Sequence, residues 1–254
     1  MCIRDRAAAD QWNANNLSKL DACSSDLCSS DVTITSDYDF ANFSNDCGTT
    51  GELLVTYTIV DECLNSVQRT ATYTIIDTTD PLVTCDPADE THDCNGFEGN
   101  SFAALAWNEA NLTTLRNCSS DDCSGVVVTS NFDYDNLIAD CALTGAITVT
   151  YTVTDECENT TTRMATFTVR DLEAPVVGCD PDDLTTDCVG VTGNESVADA
   201  WNAANIAKLS SCIADNCTVD NFTVTSDFEF NNLGDDCGTS GAITVIYTLS
   251  LIHI

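Results

Sequence analysis

Basic residues are scarce in this chain. Lys and Arg together number 8 against 41 Asp and Glu in 254 residues, a formal charge of −33. Binding to a phosphate backbone depends on Lys and Arg, so charge excludes a nucleic-acid role and disfavours an anionic membrane surface. No run of about 18 apolar residues occurs, so no membrane-spanning helix is expected. Histidine is almost missing, with only His92 and His253. C-x2-C pairs are absent and the closest cysteine spacing is C-x4-C, which denies zinc its usual thiolate arrangement. There is no G-x-S-x-G and no phosphate-cradling glycine loop. Carboxylate pairs suited to glycoside hydrolysis arise by chance at this density of Asp and Glu. No catalytic residue is therefore assigned, and an enzyme is not expected.

Cysteine and β-formers are abundant instead. At 43% hydrophobic residues the chain is no disordered acidic tail. Sixteen cysteines in a β-rich sequence indicate disulfides and an oxidising, extracellular or cell-surface setting. The stretch Gly145–Asp171, GAITVTYTVTDECENTTTRMATFTVRD, alternates apolar residues with threonine on both sides of an acidic turn that carries Cys157. Such period-two alternation marks two half-buried strands of a hairpin. The same stretch precedes it at Gly51–Asp77 and begins again at Gly241.

Self-comparison extends the pattern to the whole chain. Trp12, Trp107 and Trp201 are separated by 95 and 94 residues, and Cys23, Cys118 and Cys212 keep the same offsets. Cys28, Cys123 and Cys217 follow, then Cys47, Cys141 and Cys237, then Cys63 and Cys157, while Cys85 and Cys94 recur as Cys179 and Cys188. The period of about 94 residues, with six cysteines, is the size of one β-sandwich domain. The expected division is a truncated copy over 7–80, a complete copy over 81–174 and a truncated copy over 175–249. Residues 1–6 and 250–254 break the pattern and resemble translated adapter sequence, foreign to the repeats. Short junctions ending in Pro81 and Pro175 should hold neighbouring copies close.

Within the complete copy the expectation is a short strand at Leu82–Cys85, a helix over Ser101–Asn117, a strand over Val126–Asp135 and the hairpin. Trp107, Leu112 and Leu115 are offset by five and eight residues, which sets them on one side of a helix, and both other copies repeat them. The tryptophan reads as a core anchor, and Ser101 and Ser196 read as N-caps. Asn131-Phe132-Asp133-Tyr134 and its counterparts place aromatics toward the core and acids in water.

The hairpin and junction, YTVTDECENTTTRMATFTVRDLEAPVVGCDP and YTIVDECLNSVQRTATYTIIDTTDPLVTCDP, resemble the hyalin-repeat (HYR) family. That resemblance implies immunoglobulin-like modules of extracellular proteins serving adhesion, as in large bacterial surface proteins. The fold class expected is mainly β: tandem immunoglobulin-like β-sandwich repeats, each with one inserted helix and stapled by disulfides. The helix and the extra cysteines depart from the family, so its disulfide connectivity does not transfer, and six cysteines allow 15 pairings. An immunoglobulin-like topology would set Cys123 and Cys157 at one end, pair Cys94 with Cys141 at the other, and leave Cys85 for Cys118. The same topology would gather Asp121 and Asp122, Asp155 and Glu156, and Asp77 and Asp80 at one end. Several carboxylates held close repel one another, and Ca2+, which takes six to eight oxygen ligands, would relieve that. The alternative is that these acids only keep the chain soluble. Eight N-x-S/T sequons would mark glycosylation in a eukaryotic secretory route.

The function expected is a structural or adhesive extracellular spacer, its partners being neighbouring repeats and surface proteins or glycans. The competing function is a non-catalytic carbohydrate-binding region of a secreted enzyme. That alternative requires an exposed planar row of aromatics.

Overall fold

The computed structural model describes residues 3–27, 31–139, 143–189, 191–217, 222–234 and 240–251. The described residues are mainly β with three α-helices. The first third holds α1 (Ile3–Cys23), β1 (Val32–Ser36), β2 (Gly51–Asp61) and β3 (Ser66–Ile75). The middle holds β4 (Leu82–Val83), β5 (Glu90–Asp93), α2 (Gly96–Cys118), β6 (Ser119–Ser120), β7 (Val126–Ser130), β8 (Ile138–Ala139), β9 (Gly145–Asp155) and β10 (Thr160–Arg170). The last third holds β11 (Val176–Val177), α3 (Val191–Ser210), β12 (Ile213–Ala214), β13 (Phe222–Ser226) and β14 (Tyr247–Leu251). Residues 3–6 thus continue a helix and 250–251 continue a strand.

The chain divides into two compact units. One comprises Met1–Pro87, Asn111–Asn131 and Thr150–Met164; the other comprises Ala88–Ala110, Phe132–Val149 and Ala165–Ile254. The division runs through the middle copy rather than along its ends.

In the first unit β1, β2 and β3 form an antiparallel sheet in that order. Alternation in β2 buries Leu53, Val55, Tyr57 and Ile59 on one face. Trp12, Leu17 and Leu20 of α1 pack against Leu53, Val55 and Tyr57, so the helical stripe read from the sequence is the face that meets the sheet. Each such side chain contributes roughly 1.5–3 kcal/mol by leaving water. The unit also holds the antiparallel ladder of β7 with Tyr151–Asp155 of β9. Beside it, β4 pairs with β6, and Cys85 is bonded to Cys118 with 5.9 Å between their Cα atoms.

In the second unit Phe167–Arg170 of β10 runs parallel to β5, a strand that the alternation pattern does not announce. Trp107 is 4% exposed, its indole N–H donates to Ala88 O at 2.7 Å, and its ring lies 5.5 Å from Phe167. The tryptophan is a core anchor, as its repeated position implies. In the last third β13 pairs with β14, β11 pairs with β12, and Cys179 is bonded to Cys212.

Three expectations need correction. Ser101 and Ser196 lie inside α2 and α3, not at their starts, because both helices begin about five residues earlier; Ser101 Oγ instead donates to Glu98 O at 2.9 Å. The strand after Gly125 ends at Ser130, where Asn131 Oδ1 accepts Thr150 N at 2.7 Å. Beyond it Asp133 caps a short 3-10 turn at Tyr134–Asn136, yet Phe132 and Tyr134 stay half-buried and the acids between them stay exposed. Two of the disulfides also differ. Cys157 is bonded to Cys47, not to Cys123, and Cys94 is bonded to Cys217, not to Cys141, which lies outside the described residues. The physical reason is the same for both: these bridges run between neighbouring copies, whereas the expectation confined every pairing to one copy.

Candidate functional site

The densest polar construction of the first unit is a seam between a turn of copy one and the hairpin tip of copy two. The turn Cys47–Thr50 is closed by Thr50 N donating to Cys47 O at 2.9 Å, with Gly48 at φ +55. The hairpin tip is closed by Asp155, whose carboxylate accepts Cys157 N at 2.8 Å and Asn159 N at 2.9 Å. Glu158 takes φ 70 there. The turn, the tip and the loop at Cys123–Ser124 are joined to one another. Cys47 and Cys157 form the disulfide, with Cα atoms 5.3 Å apart. Gly48 N donates to Glu156 Oε2 at 2.9 Å, Thr49 N donates to Cys123 O at 3.0 Å, and Glu156 N donates to Ser124 Oγ at 3.2 Å. The fit leaves no space at Gly48, where a Cβ would stand 2.4 Å from Cys123 O.

The six acids proposed for calcium come together only in part. Asp77, Asp121 and Cys123 each present a ligand atom within 4.8 Å of the others. Asp77 Oδ2 is buried and accepts no hydrogen bond. Asp121 Oδ1 accepts Cys123 N at 2.8 Å and Ser124 N at 3.0 Å, which shapes its loop. Asp77 O also receives Asn159 Nδ2 at 3.4 Å, so the junction, the loop and the hairpin tip do meet at one end. Asp80 and Asp122, however, are exposed, Asp155 is committed to its turn, and Glu156 is committed to Gly48. Two carboxylates and a thiol give a hard cation such as Ca2+ two anionic oxygens, with backbone carbonyls and water to complete its shell.

A second bridge lies in the second unit. Cys94 is bonded to Cys217 with Cα atoms 5.3 Å apart, and Asn216 Nδ2 donates to Cys94 O at 2.8 Å. Asp215 Oδ1 accepts Cys217 N at 2.8 Å, the counterpart of Asp121 with Cys123.

A polar pair inside each copy, buried in copy two and partly buried in the other two, carries no announcement in the hydropathy pattern. Asn16, Asn111 and Asn205 each donate through Nδ2 to a tyrosine hydroxyl, of Tyr57, Tyr151 and Tyr247, at 3.3 Å in all three cases. Burial raises the Tyr57 and Tyr151 hydroxyls above the usual phenol range, partly offset by those asparagines. Tyr38 is pushed up to about 12, first by burial and then by its hydrogen bond to Asp10 at 2.6 Å. The signal was available in the sequence: each asparagine stands four residues after the repeated tryptophan.

For sugar binding, the aromatics that would form a platform are otherwise engaged. Tyr134 is half-buried and meets Phe97 edge-on at 5.4 Å. A cavity of about 430 Å3 beside Trp201 is lined by Leu184, Phe230 and Leu233. Trp201 itself meets Phe228 edge-on at 6.3 Å, so this ring too is engaged.

Fold and seam together define a class: a mainly β protein laced by disulfides, with no helix among its described residues long and apolar enough to cross a membrane. No family model matches the chain, and no curated protein matches it. Among solved structures, it aligns with one titled "PcdhgB3 EC1-4 in 50 mM HEPES", over 61% of this chain and 42% of that one, at 10% identity and a TM-score of 0.22. The chain therefore spans less than half the length of that structure, and the likeness is too slight to carry a role across.

Proposed function

We propose that the chain is a load-bearing or adhesive stretch of an extracellular protein, a spacer built of tandem immunoglobulin-like modules of hyalin-repeat type, without catalysis. The observation that carries this reading is the bonding of copy to copy: Cys47 to Cys157 and Cys94 to Cys217. Covalent links between neighbours resist extension and do nothing for chemistry on a substrate. Four disulfides also suit an oxidising compartment outside the cell. Its partners on this reading are neighbouring modules, with surface proteins or glycans beyond them. Non-reducing peptide mapping of the oxidised chain tests it. Peptides joining Cys47 to Cys157 and Cys94 to Cys217 are expected. Recovery of Cys157 joined to Cys123 would remove the basis of the proposal.

Calcium enters at Asp77 and Asp121, where the buried Asp77 Oδ2 lacks a donor and would gain a cation. Binding there would stiffen the junction entering copy two. Melting temperature should rise in millimolar calcium relative to chelator, and Asp121→Asn should remove most of the rise. An unchanged melting temperature in the parent chain would end the calcium reading.

A further inference from the structure

The hairpin tip of copy one repeats the main-chain closure of copy two and its Asn–Asp bonds. Asp61 N donates to Asn65 O at 3.0 Å and Leu64 N donates to Asp61 O at 3.1 Å; in copy two Asp155 N and Glu158 N do the same at 3.1 and 3.4 Å. Asp61 accepts Asn65 N and Asn65 Nδ2 at 2.8 Å each, as Asp155 accepts Asn159 N and Nδ2 at 2.9 and 2.8 Å. Leu64 and Glu158 both take a left-handed backbone, at φ 69 and 70. The difference is what lies on the tip. In copy two Cys157 is half-buried and bonded, whereas in copy one Cys63 is exposed with a free thiol, and Leu64 beside it is 83% exposed.

We propose that the tip Asp61–Leu64 is a docking surface for a further copy of this module. Its turn cysteine, equivalent to Cys47, would bond to Cys63 in a seam like the one at Cys157. The inference rests on the reading of the chain as a stack of modules. Its occupant follows from the existing seam: a tip with the same backbone closure is already occupied by the Cys47–Thr50 turn, whose sequence Cys-Gly-Thr-Thr-Gly returns as Cys237-Gly238-Thr239-Ser240-Gly241, while copy two reads Cys141-Ala142-Leu143-Thr144-Gly145. The bond forms by thiol–disulfide exchange. The two thiols lose two protons and two electrons to a disulfide oxidant, which leaves as two thiols.

The test extends the chain from Ala7 onward at its N-terminal side with a second copy of residues 81–195 that carries Ala142→Gly and Leu143→Thr, so that its turn reads Cys-Gly-Thr-Thr-Gly like the one seated at Cys157. Cys141 of the added copy then precedes Cys63 by close to the 110 residues that separate Cys47 from Cys157. Cys141→Ser in the original copy makes the origin of any Cys141 peptide unambiguous. After oxidation by glutathione disulfide, non-reducing mapping should recover Cys63 joined to Cys141. Alkylation of Cys63 by iodoacetamide should fall at least about tenfold relative to the original chain, because sulfur in a disulfide offers no thiolate. If Cys63 stays alkylated while Cys47–Cys157 forms, this docking surface is refuted and the stack stands. If Cys157 is alkylated as well, the stack itself is refuted.

Discussion

Aspartate in this chain is a backbone acceptor before it is a charge. Asp37 and Asp89 each accept a strand N–H at 2.7 Å, Asp227 accepts Ile246 N just before β14 at the same distance, and Asn131 accepts Thr150 N in copy two, so these polar side chains close the ends of strands. The buried Asn–Tyr pairs are a second structural use of polar atoms. Tyr151→Phe removes the hydroxyl that accepts Asn111 Nδ2 at 3.3 Å, which should cost about 0.5–1.5 kcal/mol in chemical denaturation. Tyr38 sets a pH limit. With its hydroxyl held up to about 12 in the folded chain against the ordinary 10, its contribution is fully present below pH 10 and is lost as pH rises toward 12. Alkaline titration followed by phenolate absorbance and circular dichroism should show late tyrosine ionisation accompanying loss of structure. Early ionisation with structure intact would contradict it.

At the level of elements, the decisive contact is the turn at Gly48. Gly48→Ala demands both a left-handed alanine and a Cβ 2.4 Å from Cys123 O, so the seam must open. About 1–3 kcal/mol of stability should be lost, with slower closure of Cys47–Cys157 on refolding. Gly125→Ala is the control, since its Cβ would meet only Glu156 Oε1 at an ordinary 3.5 Å. Hairpins and helices were legible in the sequence because β2, β9 and α1 follow periods that any half-buried element must follow. Leu53, Val55 and Tyr57 on the strand and Trp12, Leu17 and Leu20 on the helix were all readable from spacing. The parallel strand Glu90–Asp93 was not, since its residues are exposed or half-buried and alternate in nothing. Nor was the seam. Cys47 and Cys157 are 110 residues apart, and the turn that joins them holds no apolar residue whose period could reveal it. The metal candidates divide similarly: an immunoglobulin-like topology implies three segments at one end, and hydrogen bonding leaves Asp77 and Asp121 as the two carboxylates that face each other.

For the whole molecule, stability is a contest between bridges and charge. A link closing a loop of about 100 residues removes roughly 4–5 kcal/mol of denatured-chain entropy, so Cys47→Ser or Cys94→Ser should each lower stability by about that much. Against this stands the charge of −33, whose self-repulsion is present in the compact state and relaxed in the unfolded one. Screening shortens from about 30 Å in 0.01 M salt to about 3 Å in 1 M salt, so melting temperature should climb steadily with sodium chloride. That general effect must be separated from a bound cation. At matched ionic strength, calcium should raise the melting temperature beyond sodium, and Asp121→Asn should cancel only the excess while leaving the sodium dependence in place. If calcium and sodium give one common curve, the acidic end of copy two is screened rather than occupied, and the disulfides alone rigidify the junction.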